Sequence, residues 1–482
     1  MSKSLSDSTP TLTERRMMEK EYTTRTLVED LGEAAEKITS LIKEKNYTEV
    51  KKIATELPAP DVAEIYAEIP IELETLFFRL LPKELAAETF VEMDTDEQRR
   101  LIESFTDVQL SEILSELYID DTVDIIEEMP ATIVKRILRY TTKEDRAMIN
   151  TILHYPKDSA GTVMTTEYVR FTAAMTVSEA LAHIRRVAID KETIYTCYVT
   201  DKNRHLIGIV TARQLLISDP ETTIFDIMDE AVISVNTHDD KEEVALLLER
   251  YGFLAMPVVD NENRLVGIIT VDDAIEVIKE ESEEDFAKMA AITPTDEPYL
   301  KTSVMSIFKA RVPWLLLLMV SSTVSSAILA GFEAVLPAVL VLFVPMIMGT
   351  GGNSGGQSSV TVTRSISLSE LEFSDILRVL WKELRVGILC AVALGVVTFA
   401  KVLLIDGMLL GNAAIDPTVS LVVALSLSFT IIVAKIIGAA LPLAAKKIGL
   451  DPAVMASPLI TTLVDAISLI IYLVCASNVM NI

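Results

Sequence analysis

The chain has 482 residues, half of them apolar, with 70 Asp/Glu against 43 Lys/Arg and a formal net charge of −27. That length exceeds one ordinary domain, and the acidity argues against nucleic acid as a partner. Three distant cysteines without a CxxC and four scattered histidines argue against a disulfide framework or a zinc-type cluster.

The first thirty residues are polar and charged, so no cleavable signal peptide is read there and the N-terminus is expected in the cytosol. Residues 1–22 are expected to be disordered. Residues 23–157 read as short amphipathic helices with acidic outer faces. "LPAPDVAEIYAEIP", "LPKELAAETFVEM" and "DDTVDIIEEMP" each carry an i, i+3/i+4 apolar stripe and end near Pro or a polar turn. This pattern predicts a superhelix of helical hairpins.

An internal repeat occupies residues 158–271. "CYVTDKNRHLIGIVTARQLL" (197–216) matches "MPVVDNENRLVGIITVDDAI" (256–275), and each copy predicts strand, turn, strand, Thr, helix. The preceding stretches echo each other too, giving two β-α-β-β-α units. This resembles a tandem pair of cystathionine-β-synthase (CBS) domains, which implies a sensor of small molecules or ions, with ATP as a regulator. A purely structural dimerisation module is the alternative.

Residues 272–300 begin with a connecting helix of unusual charge. Asp272, Asp273, Glu276, Glu280, Glu281, Glu283, Glu284 and Asp285 place eight carboxylates in fourteen residues. The plain reading is a solvated helix. The other is that divalent cations relieve the mutual repulsion.

From residue 301 the composition changes. Apolar runs at 312–330, 335–363, 386–405, 418–444 and 457–478 each approach the ~20 residues that span a bilayer. Residues from Lys301 onward carry eleven Lys/Arg and nine Asp/Glu, so the first 300 hold about −29 of the net charge. Arg364, Arg378, Lys382 and Arg385 fall between runs two and three, and Lys446 and Lys447 between four and five. Only Lys401 departs from one-sided placement. The positive-inside rule therefore predicts cytosolic N-terminal domains and a C-terminus outside.

Two features inside the spans point to chemistry. Asp465 reads as the one carboxylate within a span, roughly 12 Å along its helix, where a charge costs at least ~2.5 kcal/mol. A passing cation would compensate it; so would pairing or protonation, with Lys435 a conceivable partner. Thr461, at i−4, shares its face and offers a hard oxygen. The second feature is "GTGGNSGGQ" (349–357). Five glycines there predict a break in the second helix, with Gly349, Gly352 and Asn353 lining a cavity. Pro345 would assist the break. A GxxxG-type packing seam is the competing reading. A phosphate-binding loop is disfavoured because no GK[ST] follows.

Taken together, this order of parts, with "PMIMGTGGNSGGQS" and "SPLITTLVDAISL", is similar to the MgtE family of Mg2+ channels and transporters. The resemblance implies a multidomain membrane protein: an all-α superhelical N-domain, an α/β tandem CBS pair, an acidic connecting "plug" helix and an all-α five-helix transmembrane domain. It implies a homodimer in the plasma membrane with a pore on the two-fold axis, lined by Asp465, Thr461, Gly349, Gly352 and Asn353. It also implies that cytosolic Mg2+ closes the pore by bridging Asp273, Glu276, Glu281, Glu284 and Asp285 with Asp120 and Asp124. Gly252 and Ser457 stand where members can carry an acidic ligand and Asn. Two other functions are kept open: a broader Mn2+/Co2+/Ni2+ permease, and a membrane-tethered nucleotide or ion sensor without transport. All-oxygen chemistry disfavours the softer metals. No nucleophile–base set suggests an enzyme.

Overall fold

The computed structural model describes residues 31–480, apart from 189–190, 296–298, 301, 333–336 and 456. The predicted disorder of residues 1–22 lies outside the described residues. The chain divides into two compact units, Met1–Ala274 and Ile275–Ile482.

The first unit opens with α1 (Leu31–Lys43), α2 (Tyr47–Thr55), α3 (Ala59–Glu68), α4 (Ile71–Phe78), α5 (Lys83–Val91), α6 (Thr95–Ser104), α7 (Asp107–Leu114), α8 (Ile119–Glu128), α9 (Ala131–Tyr140) and α10 (Lys143–Ile152). Proline sets several starts, because its fixed φ suits an entering helix and its missing N–H costs nothing there. Pro58, Pro70, Pro82 and Pro130 are N-caps of α3, α4, α5 and α9. Thr106 and Gln109 form a reciprocal capping box at α7. The apolar stripes meet inside, where Phe78, Phe90 and Phe105 pack ring against ring.

The repeat follows as β1 (Tyr168–Thr172), α11 (Val177–Val187), β2 (Thr193–Thr200), β3 (Leu206–Thr211) and α12 (Ala212–Ile217). After α13 (Ile224–Ile227), the second copy runs β4 (Val235–Asn236), α14 (Lys241–Tyr251), β5 (Ala255–Val259) and β6 (Leu265–Thr270). Each copy forms a three-stranded sheet, β1-β2-β3 and β4-β5-β6, with one parallel and one antiparallel pair. The copies exchange segments. Thr165 pairs with Ile268 of the second sheet, and Asp229 pairs with Ile209 of the first. Here the repeated glycine of "IGI" and "VGI" is required. A Cβ on Gly208 would sit 2.7 Å from Met228 Sδ, and one on Gly267 would sit 2.7 Å from Met164 Sδ. Gly252 caps α14 with φ +64°, a left-handed geometry that glycine adopts freely.

Helix α15 (Val271–Met289) is the last helix of the second copy and the acidic connecting helix in one piece. The second unit continues as α16 (Val304–Phe332), α17 (Ala338–Val341), α18 (Val344–Ser367), α19 (Ile376–Ala400), α20 (Pro417–Lys447) and α21 (Ser457–Met480). A wider π-helical turn, Lys401–Leu409, extends α19. Among the described residues, five segments are long and apolar enough to cross a membrane: Val304–Gly331, Ala338–Ser367, Phe373–Leu409, Pro417–Lys447 and Ala453–Met480. The third starts earlier than its apolar run, so it carries Glu383 and, in its π-helical end, Asp406. Asp465 is therefore not the one carboxylate on a span. Lys401, the lone basic residue out of place, is neutralised by Asp406 at 2.7 Å.

The predicted break at the glycines is overturned. Helix α18 runs unbroken through residues 349–357, and none of them has positive φ. The interruption lies upstream at residues 342–343, with Pro345 in the first turn of α18. A continuous helix keeps its backbone hydrogen bonds satisfied where water is scarce. The glycines serve packing instead. A Cβ on Gly351 would sit 2.6 Å from Thr430 Cγ2 and 2.8 Å from Ser468 Oγ, and one on Gly438 would lie 2.2 Å from the Gly355 carbonyl oxygen. Helices α18 and α20 thus meet backbone to backbone, the small-residue seam.

Gly438→Ala is expected to cost about 1–3 kcal/mol by overpacking. Gly349→Ala, whose Cβ would meet nothing within 4 Å, is expected to be neutral. Thermal unfolding of the detergent-solubilised variants measures both.

Candidate functional site

Helix α18 has two faces. Gly351, Gly352, Gly355 and Gly356 are buried together with Ser354, Ser358 and Ser359. Gly349, Asn353, Gln357, Thr361 and Arg364 are exposed. Their spacing of three or four residues puts them in one stripe along the helix. A polar stripe on a helix able to cross a membrane is costly against lipid, so it needs water or another protein surface.

Helix α21 reaches the same glycines from the side. Thr461 Cγ2 would be 2.8 Å from a Cβ on Gly352, and Val464 fills the space beside Gly351 and Gly355. Asp465 follows Val464 and lies one turn beyond Thr461. It is partly exposed, yet its Oδ1 is buried without a hydrogen-bond partner. Among the described residues no cation pairs with it. Lys435 is not its partner. That lysine is 5% exposed and donates to Ser358 Oγ at 3.4 Å, and Ser358 donates to Glu383 Oε2 at 2.6 Å. Thus Gly349 and Asn353 lie on the open face, Gly352 beneath Thr461, and Asp465 at the seam. The side chain of Ser457 lies outside the described residues.

Elsewhere in the second unit, the end of α15 makes polar contacts with α18 and with the stretch before α21. Ser367 Oγ donates to Asp285 Oδ2 at 2.6 Å, and Lys288 bridges Glu284 and Asp451, each at 2.7 Å. Burial pushes the Asp285 carboxyl above its ordinary range, against the Ser367 hydrogen bond. Burial also works against the Lys288 charge, but Asp451 and Glu284 together hold it protonated above an ordinary lysine. Sequence reasoning missed Asp451, whose only signal was "LDPA" just before the last span. Of the remaining sequence-derived positions on α15, Glu276 is exposed and Glu281 partly buried.

The first unit gathers a second acidic group. Asp120 and Asp121 open α8, Glu167 precedes β1, Glu192 precedes β2, and Asp272 and Asp273 open α15. Asp120 is 8% exposed. Burial first, then the charges of Asp121 and Asp273, push its carboxyl well above the ordinary carboxylate range. Burial, followed by Asp273 and Asp121, pushes Glu192 up to about 7. Asp120 Oδ1 and Glu192 Oε2 are both buried without hydrogen-bond partners. Asp273 has a local task as well, since the Thr270 hydroxyl and backbone N–H both donate to its Oδ2. Asp124 lies one turn beyond Asp120, exposed on α8. Glu192 was not legible in the sequence: it stands alone in "DKETIY", and the topology brings it to the others.

Among the described residues, no three Asp, Glu, His or Cys side chains are arranged as a complete metal ligand set. Two orphaned carboxylate oxygens among repelling charges suit a cation held largely through its own water. Mg2+ behaves this way, keeping several waters and taking one or two carboxylates.

Comparison with known proteins agrees with this division. Residues 344–475 match the family model "MgtE: Divalent cation transporter", residues 57–158 the MgtE intracellular N domain, and residues 160–220 and 224–280 the CBS domain. The chain is 37% identical to a magnesium transporter MgtE of Thermus thermophilus over 438 residues, covering 90% of this chain and 95% of that one. It is 32% identical to the Bacillus subtilis magnesium transporter MgtE, again covering 90% and 95%. A solved cytosolic domain of the Mg2+ channel MgtE in complex with ATP is 36% identical, covering 51% of this chain and all of that one, with a TM-score of 0.48.

The raised carboxyls of Asp120 and Glu192 bind protons more tightly folded than unfolded. Their contribution to stability is full below the unfolded pKa and lost as pH rises through the folded one. For Glu192 that window runs from 4.5 to about 7. Without Mg2+, thermal stability of the wild type is expected to fall more steeply across this window than that of Asp120→Asn/Glu192→Gln. Mg2+ at pH 7 is expected to restore the wild type more than the variant. Differential scanning fluorimetry of the full chain measures both.

Proposed function

The chain belongs to the MgtE family of magnesium transporters, and from that premise we propose that it conducts Mg2+ along the polar stripe of α18 and past Asp465. The observation that carries this reading is Asp465 itself. It is a partly exposed carboxylate on a membrane-crossing helix, with a buried oxygen and, among the described residues, no cation beside it. A dication moving with part of its water supplies the missing charge. Hydroxyl and amide oxygens, from Thr461 and Asn353, complete a hard-ligand surface. Gly349 leaves room for a hydrated ion.

Coverage of the α18 stripe is best supplied by a second copy of the chain. Two copies related by a two-fold axis would place two stripes and two Asp465 carboxylates around one path. The same reading puts the first unit in the cytosol and the C-terminus outside a bacterial plasma membrane. The neutralisation of Lys401 by Asp406 supports that orientation, because it removes the one charge against it.

Regulation follows from the acidic groups. With Mg2+ low, Asp120, Asp121, Glu192, Asp272 and Asp273 repel one another. Mg2+ relieves that repulsion and favours the closed arrangement, to which Glu276, Glu281, Glu284, Asp285 and Asp124 contribute. The CBS pair adds ATP as a regulator, as the CBS match suggests. A broader permease for Mn2+, Co2+ or Ni2+ is disfavoured, since no imidazole or thiolate lies among these ligands.

Mg2+ flux into liposomes containing the full chain tests the path. Asp465→Asn is expected to lower flux at least about tenfold, equivalent to about 1.4 kcal/mol. In the wild type, raising Mg2+ on the side of the first unit is expected to stop flux. Neutralising Glu281, Glu284 and Asp285 together is expected to leave flux running at high Mg2+. Wild-type flux of zero in folded protein would favour a sensor without transport.

A further inference from the structure

The buried lysine on α20 is unexplained by an Asp465-centred path. Lys435 is 5% exposed and Ser358 3% exposed. Both line a cavity of about 820 Å3, with Asn353, Gln357, Thr361 and Glu383 among its other walls. This cavity therefore opens onto the polar stripe of α18. A second cavity, of about 410 Å3, shares Thr361 and Glu383 as walls and reaches Asp375 at the start of the third span. The two together run from the stripe toward the end of α18 nearer the α18–α19 connection.

Three helices meet in one chain of polar contacts. Lys435 on α20 donates to the Ser358 hydroxyl on α18 at 3.4 Å, and that hydroxyl donates to Glu383 on α19 at 2.6 Å. The contacts thus set a cationic and an acidic side chain on either side of one hydroxyl. An anion in this cavity would be repelled by Glu383. A cation there would be attracted by Glu383 and opposed by Lys435, one hydroxyl away. Conduction needs such a balance, because a site must attract an ion enough to admit it and hold it weakly enough to release it.

We infer that Glu383 is a second divalent-cation carboxylate on the path, and that Lys435, acting through Ser358, is a positioning residue that keeps this site weak. The inference rests on the proposed Mg2+ path and extends it from one carboxylate to two. Removal of the ammonium while Glu383 stays should tighten the site and slow release. Once Glu383 is neutralised, the half-saturating concentration should be insensitive to the charge at residue 435.

The test is initial Mg2+ flux into liposomes over a range of external Mg2+, for wild type, K435M, K435R, E383Q and E383Q/K435M, with D465N alongside. K435M is expected to lower half-saturating Mg2+ at least about tenfold, because repulsion between one ammonium and a dication over about 10 Å at an effective dielectric of ~20 exceeds that. Its maximal rate is expected to fall as well. K435R is expected to stay within about twofold of wild type, because the charge is kept. E383Q and E383Q/K435M are expected to share one half-saturating concentration. If K435M loses maximal rate with unchanged half-saturation, Lys435 is only structural and the inference fails. If K435M does not fold, K435Q replaces it in both variants, and a difference in half-saturation between E383Q and E383Q/K435Q overturns the inference. Wild-type flux that is lost in D465N but indifferent to residues 435 and 383 overturns this inference alone. Absence of wild-type flux overturns the Mg2+ path and this inference with it.

Discussion

A carboxylate on a membrane-crossing helix has to be compensated, and among the described residues no side chain does it for Asp465. The obvious candidate, Lys435, is committed to Ser358 and through it to Glu383. That leaves Asp465 with a buried, unpartnered oxygen beside the glycine seam of the second unit. Everything around it is arranged to keep that seam close. Gly351 and Gly352 admit Thr430, Ser468 and Thr461, and the Gly355 carbonyl lies where any side chain on Gly438 would collide. The polar residues of α18 are therefore forced to the opposite, open face, where Gly349, Asn353, Gln357 and Thr361 form a stripe.

The first unit uses the same physics at a different place. Its carboxylates are gathered by topology rather than by one helix: α8, the entries to β1 and β2, and the first turn of α15. Burial and mutual repulsion raise Asp120 and Glu192 together. A group of charges that is strained when empty and relaxed when a dication enters is a natural sensor. Helix α15 begins in this group, and near its end Lys288 pairs with Asp451 while Asp285 accepts from Ser367. One continuous helix therefore carries acidic residues from both neighbourhoods.

Much of this was legible in the sequence because it is written in local patterns. The repeat at offset 59, the apolar runs and the isolated Asp465 needed only spacing and hydropathy. Two readings failed for a physical reason. A glycine run signals an unwound backbone, but the same residues are what two helices need to touch, and helix α18 keeps its hydrogen bonds. The third span begins before its apolar run, so Glu383, between Lys382 and Arg385, lies on the helix and not in the connection that hydropathy predicts. Asp451, Glu192 and the Lys435–Ser358–Glu383 chain could not be read at all, since each depends on residues brought together from distant stretches.

The most direct test of the central claim asks whether the open face of α18 touches the moving ion. Asn353→Cys, in a chain whose Cys197, Cys390 and Cys475 are replaced by Ala, is treated with a cationic thiol reagent while Mg2+ flux is followed in liposomes. The account predicts that labelling stops flux and that Mg2+ slows the labelling. A cysteine that labels fully with flux unchanged would contradict it.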